Sequence, residues 1–330
     1  MAPVPAQQPK EVRLPRLYSR QRQLLWLLDA IGGDVSNTDF QKLLFLYCKE
    51  RSTHRETEFS QGLYDFVPYR YGAFSFTCYA DRRRLMEWGL IADDDQKWVL
   101  TEDGSKIARE SEGNSTRAFA NRYRSLRGDA LVADTYRRYP YFAIRSEIAD
   151  QILRDDRLTL DRIEAARPEK TPSRLFTIGY EGRTLESYLN LLIREGVTLL
   201  CDVRRNAISR KYGFSKTTLD RACSGVGVRY EHLPELGIES RRRRGLKTDA
   251  DFKTLFENYE QTILPDQGDA LERIRTWMRA GESVALTCFE LEADLCHRHC
   301  VADALEEITN QVDFASPDVG PLLPNGVKHL

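Results

Sequence analysis

Apolar positions along the chain follow two regimes. Up to about residue 167 they recur at helical spacing, and from residue 175 short apolar runs alternate with amphipathic stretches. Over residues 21–31, Leu24, Leu25, Leu27, Leu28 and Ile31 share one helix face, which Gly32-Gly33 ends. Ser36, Asn37 and Thr38 can cap a second helix that turns Phe40, Leu43, Leu44 and Tyr47 inward. Residues 64–71 (YDFVPYRY) read as extended, and 75–88 return to helical spacing. Gly89-Leu90-Ile91 and Trp98-Val99-Leu100-Thr101 flank an acidic turn at 93–95. Two short strands around a polar turn, after helices, are the pattern of a winged helix-turn-helix. Residues 115–167 read as helical throughout, with Tyr123, Tyr136, Tyr139 and Tyr141 on their faces, until Pro168 and Pro172 break them.

Beyond that break, strands are predicted at 175–179, 197–203, 227–233 and 284–288. Helices are predicted at 184–195, 215–222 and 252–280, the last interrupted at 265–268, with a closing helix to about residue 309. Such alternation predicts a parallel sheet with helices on both faces. The expected fold is α/β, a Rossmann-like, mostly parallel sheet domain preceded by a mainly α winged helix-turn-helix domain. Its divisions are a flexible arm (1–19), a winged-helix module (20–112), a helical connector (113–172), the sheet domain (173–310) and an irregular tail (311–330).

The 330 residues suit two domains, each with its own core. With 49 Lys plus Arg against 50 Asp plus Glu, net charge draws the chain to neither nucleic acid nor membrane. Any basic surface must come from local segregation. Seven scattered cysteines, an odd number, point to reduced thiols and a cytoplasmic protein. No apolar run is long enough to span a bilayer, and the Pro-rich first residues lack the apolar core of a signal peptide.

Polar residues gather where the predicted strands end. Gly179-Tyr180-Glu181-Gly182-Arg183 follows the first, Asp202-Val203-Arg204-Arg205 the second, with Ser209 and Arg210 behind. His232, Glu235 and the run 241–244 follow the third; Cys288, Glu290 and CHRHC (296–300) follow the fourth. Carboxyl ends of parallel strands share one edge, where ligands bind. Arg183, Arg204, Arg210 and Arg298 there suit phosphate, or else pair with Glu181, Asp202, Glu235 and Glu290. Glu290 is the expected general acid/base, its pKa raised by apolar neighbours, with Asp202 in support. Glu292 and Asp294 are expected to open a helix carrying Cys296, His297 and Arg298 in its first turn, where Cys296 reads as an activated thiolate or else, with Cys288, as a buried small hydrophobe. Tyr180, His232, Cys288 and His297 shape the pocket. No cofactor is expected. The alternative is zinc on Cys288, Cys296, His299 and Cys300, whose spacing lacks paired knuckles. Arg241, Arg242 and Arg243 read either as a solvated run or as a clamp on nucleic acid.

Two resemblances add to this. FQKLLFLYC (40–48), YDFVPYRYGAFSF (64–76) and the GLI…W.LT..G wing resemble the Panacea-type antitoxins, relatives of the SocA-like antitoxins, over roughly residues 20–140. That resemblance implies a protein-binding or regulatory role as readily as DNA binding. Arg82, Arg83 and Arg84 are the phosphate contacts if DNA is bound, and a solvated face otherwise. TIGYEGR (177–183), CDVRRNAISRKYGFSK (201–216), YEHLPELG (230–237) and ALTCFELEADLCHRH (285–299) resemble the family catalogued as domain of unknown function four-eight-eight, over about 174–307. Tyr180 stands where that family commonly has His, and Phe289 where it often has Ala or Gly. The resemblance implies a Rossmann-like domain and a link to nucleic-acid metabolism. Together these features predict a nucleic-acid-associated enzyme, hydrolytic on a glycosidic or phosphoester bond of modified or damaged DNA or of a nucleotide-derived substrate. Repair or anti-phage defence would use such chemistry. Nucleic acid is the expected partner, with a protein partner at the N-terminal module and a homodimer as further options. The rival is a non-enzymatic regulator or antitoxin-like protein sensing a nucleotide-like ligand.

Overall fold

Residues 16–53, 63–110, 114–169, 173–313 and 327–330 are described by the structure, a computed structural model. The arm expected over 1–19 therefore lies largely outside the described residues. Along the first half run α1 (Ser19–Ala30), β1 (Asp34–Ser36), α2 (Asn37–Thr53), the hairpin β2 (Val67–Tyr69) and β3 (Gly72–Phe74), and α3 (Phe76–Glu87). They are followed by β4 (Lys97–Val99), α4 (Glu102–Glu110), α5 (Asn114–Arg122) and α6 (Gly128–Arg138). The chain divides into two compact units, Met1–Tyr64 with Cys78–Leu131, and Asp65–Thr77 with Val132–Leu330. The hairpin and most of the expected connector thus fold with the sheet and depart from the boundary drawn at residue 172.

In the first unit, the apolar stripe of α1 is fully buried, as are Phe40 and Leu43 of α2. Phe40 stacks on Trp98 with ring centroids 4.2 Å apart. β4 pairs antiparallel with β1, and Ile91 makes a single antiparallel bridge to Leu100. Arg82 does not face solvent. It is buried, lies over the Trp98 ring, and its Nη2 donates to the carbonyls of Asp94 and Lys97. Those bonds fold the acidic turn and remove Arg82 from any phosphate surface; Arg83 and Arg84 stay exposed. No described helix is long and apolar enough to cross a membrane.

The expected continuous helix over 115–167 is broken in both units, first between α5 and α6. After α6 come a 3-10 turn (Pro140–Ala143), α7 (Ala149–Ile152) and α8 (Arg157–Ala165), because Pro140 cannot extend the helix before it. Then follow β5 (Leu175–Gly179), α9 (Leu185–Arg194), β6 (Leu199–Asp202), α10 (Lys216–Gly225), β7 (Arg229–His232), α11 (Asp249–Thr262), α12 (Gly268–Arg279), β8 (Val284–Cys288) and α13 (Arg298–Asp313). With the last strand, β9 (Lys328–His329), the sheet order is β7-β6-β8-β5-β9, and all four neighbouring pairs are parallel. β9 corrects the expectation of an irregular tail: pairing with β5 satisfies backbone groups that a draped segment would leave to water. Residues 314–326 of that tail lie outside the described residues.

The period-2 alternation of the strands divides two cores. Phe176, Ile178, Leu200 and Ala285 face Tyr188, Leu192, Leu219 and the residues of 132–163. Leu175, Leu199, Cys201, Val284 and Leu286 face Tyr259, Ile274, Met278 and Val301. Helices therefore cover both faces, and the strand ends form an open edge. Glu186, fully buried in α9, accepts hydrogen bonds from Ser75 Oγ and from the Thr77 N–H and hydroxyl, tying the segment after β3 to the sheet layer.

Lys42 of α2 is 2 % exposed, and burial lowers its pKa to about 7. The unfolded chain binds this proton up to its ordinary pKa and the folded chain releases it near 7. Stability should therefore rise between about pH 7 and about pH 10, by roughly 1 kcal/mol per pH unit. Denaturant titrations across that range should show the slope, and Lys42→Met should flatten it.

Candidate functional site

β5, β6 and β8 end together, and the segments that follow them build a cleft of about 190 Å³. That is below the roughly 300–1,000 Å³ of pockets for whole drug-sized ligands, and has room for a phosphate or a sugar. Among its walls are Tyr180, Arg204, Arg243, Cys288 and His297, all singled out in the sequence. Arg205, Asn206, Ile208, Ile238 and Phe289 complete it. Of these, Arg205 and Phe289 stand in strand-end segments already named, while Asn206, Ile208 and Ile238 were not singled out; for Asn206 and Ile208, closeness to the strand-end Asp-Val-Arg was the available signal.

The frame beneath the cleft is an ion pair. Asp202, with no exposed surface, accepts from Arg204 Nε at 2.8 Å, from Arg204 Nη2, and from the Tyr230 hydroxyl at 2.7 Å. Arg204 Nη1 donates to the Tyr180 hydroxyl and to the Phe214 carbonyl, each at 2.9 Å. The Asp202 carboxylate holds the Arg204 guanidinium in its charged form, well above its usual range despite a burial that opposes it. With its oxygens taken by Arg204 and Tyr230, Asp202 holds Arg204 in place. Arg204 likewise has its donors directed at protein atoms.

The active-looking chemistry lies one layer out. His297, 1 % exposed, donates from Nε2 to the Val203 carbonyl at 3.0 Å. Its Nδ1 lone pair accepts from Arg243 Nη2 at 2.8 Å, which fixes the tautomer. The same Nδ1 lies 3.9 Å from Cys288 Sγ and 3.8 Å from Cys296 Sγ. Arg243 Nη1 also donates to Glu290 Oε1 at 2.7 Å, while Glu290 Oε2 is buried without a hydrogen-bond partner. Arg243 is thus no member of a solvated run. Arg241 pairs with Glu239 and Arg242 with Asn258, both at the surface, and the third arginine turns inward.

The thiol roles are the reverse of those expected. The Cys296 thiol donates to Cys288, and with the Arg243 charge nearby this holds Cys288 well below the ordinary thiol range. Burial and the same bond push Cys296 well above it. The expected helix start at Glu292 or Asp294 is absent, since α13 begins at Arg298 and leaves Cys296 in a turn. Arg298, 1 % exposed, donates to the carbonyls of Glu290 and Leu291 at 2.6 and 2.8 Å and so shapes that turn instead of binding phosphate.

Other expected ligands are also held elsewhere. Arg183 Nε donates to the Gly179 carbonyl at 3.1 Å, and His232 Nε2 to the Arg204 carbonyl at 2.8 Å. Glu235 pairs with Arg273 at 3.7 Å, and Arg210 is exposed away from the cleft wall. The four-residue zinc set does not assemble. Cys288 and Cys296 group with His297, whereas His299 and Cys300 group with Glu260. Two glycines let the loops close in: a Cβ on Gly179 would overlap the Glu290 carbonyl, and one on Gly237 would overlap the Arg205 amide.

Residues 184–305 match a family described as Domain of unknown function DUF488, which supports the resemblance seen in the second unit. No curated protein and no solved structure matches the chain.

If Asp202 positions rather than reacts, Asp202→Asn should cost about 3–5 kcal/mol of unfolding free energy, as loss of one partner from a buried pair does. Tyr230→Phe should cost nearer 1 kcal/mol. Urea melts of the purified variants measure both.

Proposed function

We propose that the chain is a nucleic-acid-associated hydrolase, with its active site in the cleft at the carboxyl edge of the sheet. Its substrate is modified or damaged DNA or a nucleotide derivative, cut at a phosphoester or glycosidic bond, a chemistry that serves repair or phage defence. The observation that carries this is the cleft's layering. A rim with exposed Arg205 and Asn206 overlies a floor of Cys288, His297 and Arg243. Arg204 and Arg243 have carboxylate partners, while Arg205 has none among the described residues. A bond from Nη1 to the Pro234 carbonyl at 3.2 Å leaves the guanidinium other donors for phosphate oxygens. Ile208 and Phe289, 76 % and 44 % exposed, offer the apolar flank that a base or sugar needs beside them. Glu290, anchored by Arg243 through one oxygen and unpartnered on the other, is the proton-transfer group.

The first unit then serves as a winged-helix module that binds DNA or a partner protein. The antiparallel β1–β4 pair and the α1, α2, α3 order support that reading, as do the exposed Arg83 and Arg84 on α3.

Activity against oligonucleotides carrying damaged or modified bases, and against nucleotide derivatives, tests the enzyme. Glu290→Gln should lower kcat by about 10²–10⁴ with little change in KM. Arg205→Ala should raise KM about tenfold, the worth of one charge-assisted hydrogen bond. A nucleotide that shifts DNA affinity without being consumed would instead establish the regulator. Replacing Arg83 and Arg84 together by Ala should reduce the salt slope of duplex binding by about 1.8. An unaltered slope would assign the first unit to protein partners.

A further inference from the structure

We infer that Cys288, Cys296 and His297 form a binding site for a thiophilic divalent cation, zinc above all, with a fourth position open to the cleft. Both sulfurs and Nδ1 lie within 4.8 Å of one another. In a tetrahedral zinc site, a thiolate sulfur and an imidazole nitrogen stand roughly 3.6 Å apart. The two sulfur–nitrogen distances here, 3.9 and 3.8 Å, need only about 0.3 Å of closure.

The imidazole is already in the ligating tautomer. Nε2–H donates to the Val203 carbonyl, the outer bond that orients most ligand histidines, and the unprotonated Nδ1 accepts from Arg243 beside the two sulfurs. All three residues are at most 2 % exposed, so they lose little side-chain entropy on binding and exclude water from three sides. Cys288 and His297 line the cleft and Cys296 does not, so the fourth position is assigned to the cleft side. Two sulfurs and one nitrogen with an open fourth place are a known catalytic zinc set.

The position of Arg243 fits the same idea. Its Nη2 sits 2.8 Å from Nδ1, so a positive charge already stands near the point where the three donors converge. A cation entering there displaces that contact, and Arg243 keeps its bond to Glu290. No oxidant is involved. The ion gains two sulfur donors and one nitrogen donor, and any thiol proton still present leaves to solvent. If the hydrolase proposed above is correct, water on the fourth position becomes the nucleophile that the cleft otherwise lacks.

The test uses the full chain, prepared with and without chelator, and reads metal content by elemental and native mass spectrometry. Cobalt(II) added to chelated protein should give a thiolate-to-metal charge-transfer band and the intense visible bands of a tetrahedral site. Cys296→Ser and His297→Gln should each weaken cobalt binding at least a hundredfold, which second-sphere changes alone seldom exceed. Cys300→Ser, in the neighbouring Glu260–His299–Cys300 group, should keep the wild-type spectrum. Arg243→Met should tighten cobalt binding roughly tenfold by removing the competing bond. The site is wrong if chelated wild-type protein gives no band, if Cys300→Ser abolishes it, or if Cys288 and Cys296 join in a disulfide under mild oxidation equally fast with and without cobalt. None of these readouts requires turnover. A chain that binds cobalt but cuts no substrate keeps the metal site and loses the hydrolase.

Discussion

One buried ion pair holds this architecture's working edge together. Asp202 closes β6, and its bidentate grip fixes Arg204 straight after the strand. Through Arg204 the pair reaches Tyr180 after β5 and the Phe214 carbonyl before α10; through Asp202 it reaches Tyr230 on β7. Three strand ends thus share one charge network. Isolated charges in such an interior would be prohibitively costly, and each survives because its lone pairs or donors are matched. The stacking of Tyr180 on Phe214, with centroids 4.3 Å apart, packs the network beneath the cleft wall that Tyr180 and Arg204 help to line.

On that frame the reactive groups hang from a different element. The segment after β8 is drawn down by Arg298, which grips two of its carbonyls, and is admitted by Gly179, whose missing side chain leaves space for Glu290. Tyr180 and Glu181 donate backbone bonds to the Phe289 carbonyl, which sets Cys288 and Glu290 on either side of a fixed point. Residues that resembled substrate ligands in sequence are therefore mostly joints. The cleft's chemistry falls to fewer groups than the polar content of the strand ends suggested.

Much of this was legible beforehand. β5 and β8 have the bounds that their apolar runs predicted, and the convergence of strand-end clusters follows from parallel topology alone. Arg243 was legible only as one of a basic run, because four consecutive arginines read as one surface and nothing local marks the one that meets a buried imidazole. The thiol assignment failed for a related reason. Acidic residues at 292 and 294 predict a helix start, but Arg298 holds the preceding carbonyls in a non-helical turn, a contact that spacing cannot reveal. The hairpin at 67–74 is near the first unit in sequence and packs with the second, since Val67 joins the core around Phe176 and Tyr188. Local pattern specifies an element well and its destination poorly.

The short strand Lys328–His329 has a meaning beyond its size. By lying beside β5 it converts that strand from a border into an interior one, and the Thr177 hydroxyl with His329 Nδ1, 2.8 Å apart, clasps the join. An uncovered β5 would offer a run of unpaired amides and carbonyls flanked mostly by apolar side chains, the surface from which neighbouring molecules aggregate. These few residues, exposed and carrying a lysine, act as a guard rail for the sheet. Anything fused to or trimmed from this stretch acts on colloidal behaviour before it acts on the cleft.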